Sequence, residues 1–251
     1  MNEKFKKLYI AVPNYRGWIE APHHLSMLHL FHFLGSRGCE PHYINPVHTV
    51  LSTARQTCVN AACAEPGCEY ILFIDDDMVF VPEQVAMLMN EVAENDLDFL
   101  SALAFSNSIP TKPCIFGKSP AHPEHGEVPW WYIVTDYPKA QRFEVLASGF
   151  GMAVISTRML KAMREGVENY QHFHYNHPLC PNEDVSFCLS ARDKGFKLYC
   201  DSRVSIGHVS KDRPIITEDV YISQGAAAEY NMNMTPMKFK EGSVELEHVS
   251  S

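Results

Sequence analysis

The spacing of hydrophobic residues changes repeatedly along the first hundred positions of the chain. Short apolar runs at 7–13, 42–44, 69–74 and 98–104 are typical of buried strands, and residues 21–34, 52–64 and 82–94 have the spacing of helices with one apolar face. This alternation predicts an α/β fold with a mostly parallel central sheet and helices on both faces. Because such sheets bind ligands beyond the carboxyl ends of their strands, we expect the functional site at that edge.

The pattern is less regular after residue 104. Residues 105–138 contain six prolines and no clear period, which predicts a long irregular segment that serves as a binding loop or lid. Further strands are predicted at 142–147, 152–155, 197–200 and 203–206, and helices at 156–164, 185–194 and 218–228. We therefore interpret 1–213 as one domain and 214–251 as a partly flexible C-terminal extension.

Three consecutive aspartates, Asp75, Asp76 and Asp77, follow the apolar run at 71–74. Because a strand alternates its side chains, we expect Asp75 and Asp77 to point to one side, into the site, and Asp76 to point away. Two carboxylates on one side in an apolar setting repel each other and are costly to bury. A divalent cation with oxygen ligands would compensate for that cost. The alternative interpretation is a polar turn that ends the strand.

The composition limits the classes of partner. The chain has 251 residues and a formal net charge of −9, which argues against nonspecific nucleic-acid or anionic-membrane binding as the main activity. The first residues lack the apolar run of a secretory signal, and no stretch approaches the ~20 apolar residues of a membrane helix. We therefore expect a cytoplasmic protein whose eight cysteines are reduced and buried.

Several sequence blocks occur in an order that resembles the glycosyltransferases of the GT-A fold, especially the family 2-like enzymes. The blocks are IAVPNY, Ala54-Arg55 with Asn60, FIDDDM, SGFGMAVI and NEDVSFCLSARDKGFKLYCDSRVSIGH. The resemblance covers about residues 7–213, and its last block is the most specific. It implies a metal-dependent glycosyltransferase that moves a sugar from a UDP- or GDP-linked donor to an unidentified hydroxyl acceptor.

The resemblance also implies roles for individual residues on the donor side. Mn²⁺ or Mg²⁺ would be held by Asp75, Asp77 and His208. The nucleotide would be contacted by Pro13, Tyr15, Arg55, Asp75, Asp76, Lys211 and Arg213, with Tyr15 stacking on the base. Asn45 stands where the family often has an acidic residue that recognises the base, so the identity of the base stays open.

On the acceptor side, Asp184 matches the carboxylate that deprotonates the acceptor hydroxyl in inverting members, and Glu183 is its neighbour in the catalytic pair. Which of the two acids acts stays open, as does the choice between an inverting and a retaining reaction. Trp130, Trp131 and Gly151 are expected to bind the acceptor, with anchoring of the loop to the core as the alternative role of the two tryptophans. We interpret His172, His174 and His177 as part of a flexible acceptor loop rather than as a zinc site.

Two other functions compete with this hypothesis. Sugar-1-phosphate nucleotidyltransferases share a related sheet but usually have a glycine-rich, basic loop after the first strand, and VPNYRGW contains a single glycine. A non-catalytic nucleotide- or carbohydrate-binding domain of the same fold is the second alternative. It would not need the combination of the aspartate triplet, the Glu183-Asp184 pair and the Gly207-His208 strand end.

Overall fold

The computed structural model describes residues 3–118, 131–174, 182–211, 213–224, 238–240 and 243–245. The strands are β1 (Lys7–Ala11), β2 (Glu40–Ile44), β3 (Tyr70–Ile74), β4 (Met78–Val79), β5 (Phe99–Leu103), β6 (Ile115–Lys118), β7 (Trp131–Ile133), β8 (Arg142–Val145), β9 (Ala147–Ser148), β10 (Met152–Ser156), β11 (Leu198–Ser205), β12 (Gly207–His208), β13 (Lys238–Lys240) and β14 (Ser243–Glu245). The helices are α1 (Ala21–Ser36), α2 (Leu51–Ala64), α3 (Pro82–Glu94), α4 (Thr157–Arg164), α5 (Glu183–Asp193) and α6 (Glu218–Ser223).

The central sheet has seven strands in the order β2-β1-β3-β10-β5-β11-β8. β1 pairs in parallel with both β2 and β3, and β5 pairs in parallel with β11. β10 is antiparallel to its neighbours β3 and β5, and β8 is antiparallel to β11. Because β1, β2, β3, β5 and β11 share one direction, the predicted mostly parallel α/β sheet is confirmed.

Helices cover both faces of this sheet, as the alternation of strands and helices predicted. One hydrophobic core joins the sheet to α2, α4 and α5, and a second joins it to α1 and α3. β3 lies between β1 and β10, and all five of its residues are buried, which explains its continuous apolar run. The chain passes from β1 to β2 on one side and to β3 on the other, so a ligand-binding crevice is expected between the ends of β1 and β3.

Two predictions about local structure were wrong. The segment 105–138 is not wholly irregular, because β6 pairs with β7 and with β9 to form a small antiparallel sheet. The two strands predicted at 197–200 and 203–206 are one strand, β11, whose register against β5 shifts between Asp201 and Ser205. Both features depend on pairing between distant segments, which the local spacing of apolar residues does not reveal.

Part of the predicted extension packs on the domain. Ile216 pairs with His208 in an isolated bridge, and the ring of Tyr221 lies 5.1 Å from the ring of Phe105. Further along, β13 and β14 form an antiparallel pair. The boundary at residue 213 stays a prediction. Within the described ranges, every helix is too short or too polar to span a bilayer.

Candidate active site

The three aspartates form a turn rather than the end of a strand. β3 ends at Ile74, the Asp75 amide donates to the Gly151 carbonyl at 3.1 Å, and the Asp75 carbonyl accepts from the Met78 amide at 3.2 Å. We call Asp75, Asp76 and Asp77 the acid turn. The expectation that strand alternation separates Asp76 from the other two was therefore wrong, because alternation ends with the strand at Ile74.

Each carboxylate of the acid turn has a different cationic partner. Asp75 accepts from the Arg55 guanidinium at 2.9 Å, and Asp76 accepts from Arg16 at 3.1 Å. Asp77 lies 3.3 Å from Nε2 of His208. The turn therefore distributes its negative charge in three directions, which reduces the repulsion between neighbouring carboxylates.

A short two-stranded ribbon brings His208 to the acid turn. β12 pairs with β4, so that His208 lies opposite Met78, and the Val209 amide donates to the Asp77 carbonyl at 2.8 Å. Burial alone would lower the pKa of His208, but the contact of Nε2 with Asp77 raises it, so the proton between Nε2 and Asp77 is the one that a bound cation would replace. Nδ1 of His208 donates to the Phe105 carbonyl at 2.8 Å. Metal-binding histidines are commonly oriented by such a second hydrogen bond.

Asp77 and His208 together offer one carboxylate and one imidazole nitrogen to a cation. Within the described ranges, no group of three His, Cys, Asp or Glu side chains is arranged to hold a metal ion. This donor set fits Mg²⁺ or Mn²⁺ if a bound substrate and water complete the coordination, since Mg²⁺ is usually bound through few protein ligands together with substrate phosphates. It does not fit a structural metal, which needs a closed set of protein ligands.

A cleft of about 290 Å³ opens beside Asp77 and is rich in basic side chains. Its cations are Arg16, Lys211 and Arg213, and we call it the cationic cleft. Lys211 is exposed there. Arg213, in contrast, donates to the carbonyls of Asn107 and Ser108 at 2.9 and 3.3 Å, so its guanidinium is already engaged by the loop after β5.

Arg16 was missed as a site residue by the sequence analysis. Its guanidinium bonds to Asp76 and Glu20 and lies 3.8 Å from Asp77. Burial raises the pKa of Asp76 to about 6, although Arg16 opposes that shift. The available signal was positional: Arg16 follows β1 within a few residues, and the carboxyl end of β1 lies next to that of β3.

On the other side of the acid turn, a buried arginine joins two sequence blocks. Arg55 on α2 is 2% exposed, and its two terminal nitrogens donate to Asp75 and to Glu183, the first residue of α5. Its guanidinium carbon lies 5.1 Å from the centre of the Phe150 ring. We call Arg55, Asp75, Glu183 and Asp184 the Arg55 cluster. The structure places Arg55 below the crevice between two acids, and its predicted contact with the nucleoside stays a prediction.

The charged groups of the Arg55 cluster shift each other's pKa values. Burial alone would lower the pKa of Arg55, but Asp75, Glu183 and Asp184 outweigh it, so the pKa is raised and the guanidinium stays charged. Burial raises the pKa of Asp75 despite the opposing effect of Arg55. Within the described residues, Nε of Arg55 has no hydrogen-bond partner, so this buried cation is not fully satisfied by the protein.

Asp184 is the acid of this cluster that lacks a direct bond to Arg55. Burial raises its pKa to about 6, and the nearby Arg55 opposes the shift. A side chain at Gly149 would place its Cβ 3.2 Å from the Cβ of Cys114 and 3.6 Å from Oδ2 of Asp184. Glycine at this position therefore keeps one side of the Asp184 carboxylate open. A carboxyl group with such a pKa is suited to exchange a proton near neutral pH.

The predicted nucleoside pocket lies on the β1 side of the crevice. Pro13 is buried two residues after the end of β1, and Tyr15 is 67% exposed, so its ring is available for stacking. The side-chain amide of Asn45 donates to the Val12 carbonyl at 2.9 Å and thereby ties β2 to β1. That bond engages the side-chain amide of Asn45, the residue at the position where the family often has an acidic side chain that recognises the base.

The residues predicted to bind the acceptor lie partly within and partly outside the described residues. Trp131 begins β7, but its side chain and all of Trp130 lie outside the described residues, as does His177. Gly151 is a packing position: a Cβ there would meet the Cβ of Ala104 and the sulfur of Met78, both at 3.1 Å. Its contact with an acceptor stays a prediction.

Comparisons with known proteins were made for the sequence and for the fold. No family model and no curated protein matches the sequence. Among solved structures, A197 from STIV has a TM-score of 0.54 at 15% identity, with 85% of this chain and 90% of that chain covered. At this identity the similarity shows a shared fold and nothing about activity.

Two glycosyltransferases are also among the similar solved structures. A mutant of Drosophila β-1,4-galactosyltransferase 7, solved with manganese, UDP-Gal and xylobiose, has a TM-score of 0.44 at 14% identity, covering 91% of this chain and 77% of that chain. GalNAc-T7, solved with UDP, GalNAc and Mn²⁺, has a TM-score of 0.48 at 10% identity, covering 81% and 44%. With TM-scores below 0.5, neither structure identifies an activity or a ligand of this chain.

Proposed function

We propose that this protein is a metal-dependent glycosyltransferase that uses a UDP- or GDP-linked sugar and an acceptor hydroxyl. The observation that carries the proposal is the arrangement at one sheet edge: the Asp77–His208 pair and the cationic cleft lie on one side of the acid turn, and Asp184 lies on the other. A nucleoside-diphosphate sugar needs cationic contacts for its phosphates. Its acceptor needs a base near the reacting carbon.

Asp77 and His208 would hold Mn²⁺ or Mg²⁺, since the bond from Nδ1 to the Phe105 carbonyl directs Nε2 of His208 towards Asp77, where a cation could lie between them. A cation bound there would offset the negative charge that develops on the departing nucleoside diphosphate. Arg16 and Lys211 would bind the diphosphate from the cationic cleft, and Tyr15 would stack on the base. Asp75 would support the site indirectly, because its carboxylate is already paired with the buried Arg55.

Asp184 would accept the proton of the attacking hydroxyl. Glu183 is bonded to Arg55, which ties the start of α5 to α2. The pKa of Asp184, raised to about 6 by burial, suits a base near neutral pH. The roles of the pair thus differ because their environments differ, as in other enzymes with two acids.

A thermal-shift screen of UDP, GDP, CDP and ADP, with and without Mn²⁺, tests the donor half of the proposal. At 100-fold excess over Kd a ligand stabilises the folded state by about 2.7 kcal/mol, or a rise in Tm of about 5–10 °C for a chain of this size. We expect one diphosphate to produce that shift only with Mn²⁺. Equal shifts in EDTA would contradict the role of the metal, and no shift with any diphosphate would contradict the donor.

Turnover then separates the related functions. Slow hydrolysis of the matching nucleotide sugar is expected for a glycosyltransferase without its acceptor. Donor that binds with Mn²⁺ and is never hydrolysed would indicate a non-catalytic binding domain. Release of pyrophosphate from a nucleoside triphosphate and a sugar phosphate would indicate a nucleotidyltransferase.

A further inference from the structure

A second groove lies away from the acid turn, on the face of the sheet that carries α2, α4 and α5. It has a volume of about 790 Å³ and is bounded by the second half of α2, the outer side of α4 and residues 165–172. We call it the α2–α4 groove. It shares no lining residue with the cationic cleft. Its volume is within the range of sites that bind small molecules.

The lining of the α2–α4 groove is basic and rich in amides. Lys161 and Arg164 project from α4, and neither is paired with a carboxylate within the part of the chain that the structure describes. Glu165 is the acid of the lining, so the groove carries a net positive charge on a chain whose net charge is −9. The polar remainder is Asn60, Asn169, Tyr170 and Gln171.

The inner wall of the groove is held by a hydrogen-bond network. His172 is 1% exposed; its Nε2 donates to the Leu160 carbonyl at 2.8 Å, and its amide donates to the Gln56 side chain at 2.7 Å. Gln56 in turn donates to Asn60 Oδ1 at 2.9 Å. Because these groups are held by hydrogen bonds to one another, little of their conformational entropy would be lost when the groove is filled.

This network accounts for two residues that the proposed function leaves unused. Asn60 belongs to a sequence block that resembles glycosyltransferases, and His172 belongs to the histidine-rich segment expected to be a flexible acceptor loop. His172 is instead a fixed wall residue, and burial lowers its pKa, so it is neutral near pH 7. Both residues converge on the α2–α4 groove rather than on the acid turn.

The chemistry of the lining selects a ligand class. Two cations favour an anionic group, and three amides with one phenol ring offer the donors, acceptors and stacking surface that hydroxylated rings need. Apolar lining is limited to Ala162 and Val167, which argues against a lipid tail. The geometry points to a second ligand site in the α2–α4 groove for an acidic saccharide, independent of the proposed donor site.

Titration calorimetry with tetragalacturonate, maltotetraose and inorganic phosphate tests this site. The protein is used in EDTA and without nucleotide, so the result does not depend on the proposed transferase activity. We expect tetragalacturonate to bind at least tenfold more tightly than either other probe. The double variant Lys161→Gln, Arg164→Gln should weaken that binding at least tenfold, while the matched double variant of exposed cations, Lys194→Gln, Lys197→Gln, should change it less than twofold.

The outcomes that overturn the inference are distinct. If maltotetraose bound as tightly as tetragalacturonate, the ligand would not need to be anionic. If phosphate bound as tightly, the ligand would not need to be a saccharide. Unchanged tetragalacturonate binding by the folded Lys161→Gln, Arg164→Gln variant would place the ligand elsewhere. A second variant, Gln171→Ala, changes an exposed amide and keeps both cations; tetragalacturonate binding that is insensitive to it would contradict recognition of the sugar hydroxyls.

Discussion

The cationic cleft and the Arg55 cluster flank the same turn but hold charge in opposite ways. In the cleft, the side chains of Asp77 and Arg16 are each 24% exposed, and Lys211 is open to solvent. In the cluster, Arg55 is 2% and Glu183 11% exposed, and both are hydrogen-bonded. The open side can exchange its partners for a ligand, whereas the buried side cannot lose a charge without leaving its partner unpaired.

This difference explains how neighbouring aspartates acquire different roles. Screening by water keeps interactions weak in the cleft, which would suit the proposed release of a diphosphate after each reaction. Exclusion of water strengthens them in the cluster, which suits groups that must keep their positions. Asp75 is bonded to the buried Arg55 and Asp77 faces the cleft, so the two carboxylates differ in their partners although their own exposures, 28% and 24%, are similar.

The largest expected effect concerns the buried side. Arg55→Met leaves Asp75 and Glu183 without their shared partner and should lower the free energy of unfolding by about 3–5 kcal/mol. Urea denaturation followed by circular dichroism measures this change. Arg158→Met is the matched control, because Arg158 also bridges two acids, Asp96 and Asp98, but is 57% exposed; its cost should stay below about 1 kcal/mol. Equal costs would show that burial does not distinguish the two sides.

The next effect concerns the open side. If Asp77 and His208 hold the cation, Asp77→Asn should weaken Mn²⁺ binding in the presence of UDP by about 100-fold or more, since even residues that only support metal ligands contribute up to about that factor. Electron paramagnetic resonance of free Mn²⁺ measures the affinity. Asp76→Asn is the matched variant and should change it only a few-fold, because Asp76 bonds to Arg16. The reverse ranking would move the metal to Asp76 and refute the assignment.

A smaller effect, of opposite sign, is expected at Asp184. Its pKa is raised to about 6, so between about pH 4 and 6 the folded protein binds a proton that the unfolded chain releases. Stability contributed by that proton is present at low pH and is lost as the pH rises towards 6. Asp184→Asn should therefore stabilise the protein by about 2 kcal/mol at pH 7 and by little at pH 4, as measured by urea denaturation.

The same substitution should abolish turnover, and wild-type hydrolysis of the donor should rise with pH through about 6 as Asp184 loses its proton. Glu183→Gln provides the contrast, because Glu183 is bonded to Arg55 and is not expected to move the proton. A stabilised Asp184→Asn variant with normal turnover would show that another group is the base.

Much of the fold was predictable because it depends on local spacing. The run Tyr70–Ile74 is apolar throughout, and α3 has Val85, Leu88, Met89 and Val92 on one buried face, so period and length identified both elements. β6, β7 and β9 were not predictable, since their stability comes from pairing between segments far apart in the chain. The turn at Asp75 was a considered alternative, and apolar spacing alone could not decide it.

Candidate site residues could be nominated where chemistry is concentrated in sequence, as in the three aspartates and the Glu183-Asp184 pair, and their roles stay predictions. The sequence could not show that Arg55 bonds to Glu183, which is 128 positions away, or that Arg16 reaches Asp76. These contacts follow from the order of β1 and β3 and from the placement of α2 and α5 on one face of the sheet. The partners of a charge are set by tertiary structure, and in this site the partners decide its role.

The smallest expected effect separates two cations within the cleft. Lys211 is exposed and can reach a bound diphosphate, so Lys211→Gln should weaken Mn²⁺-dependent UDP binding by roughly 3–10-fold at low salt, with a smaller loss at high salt as the charge is screened. Arg213→Gln should instead lower Tm slightly, because Arg213 bonds to the carbonyls of Asn107 and Ser108. Titration calorimetry at two salt concentrations, with a melting curve for each variant, measures both effects. The assignment would be wrong if Arg213→Gln weakened UDP binding more than Lys211→Gln did and left Tm unchanged. In that case the diphosphate would lie deeper in the cleft, and Arg213 rather than Lys211 would be its main cationic contact.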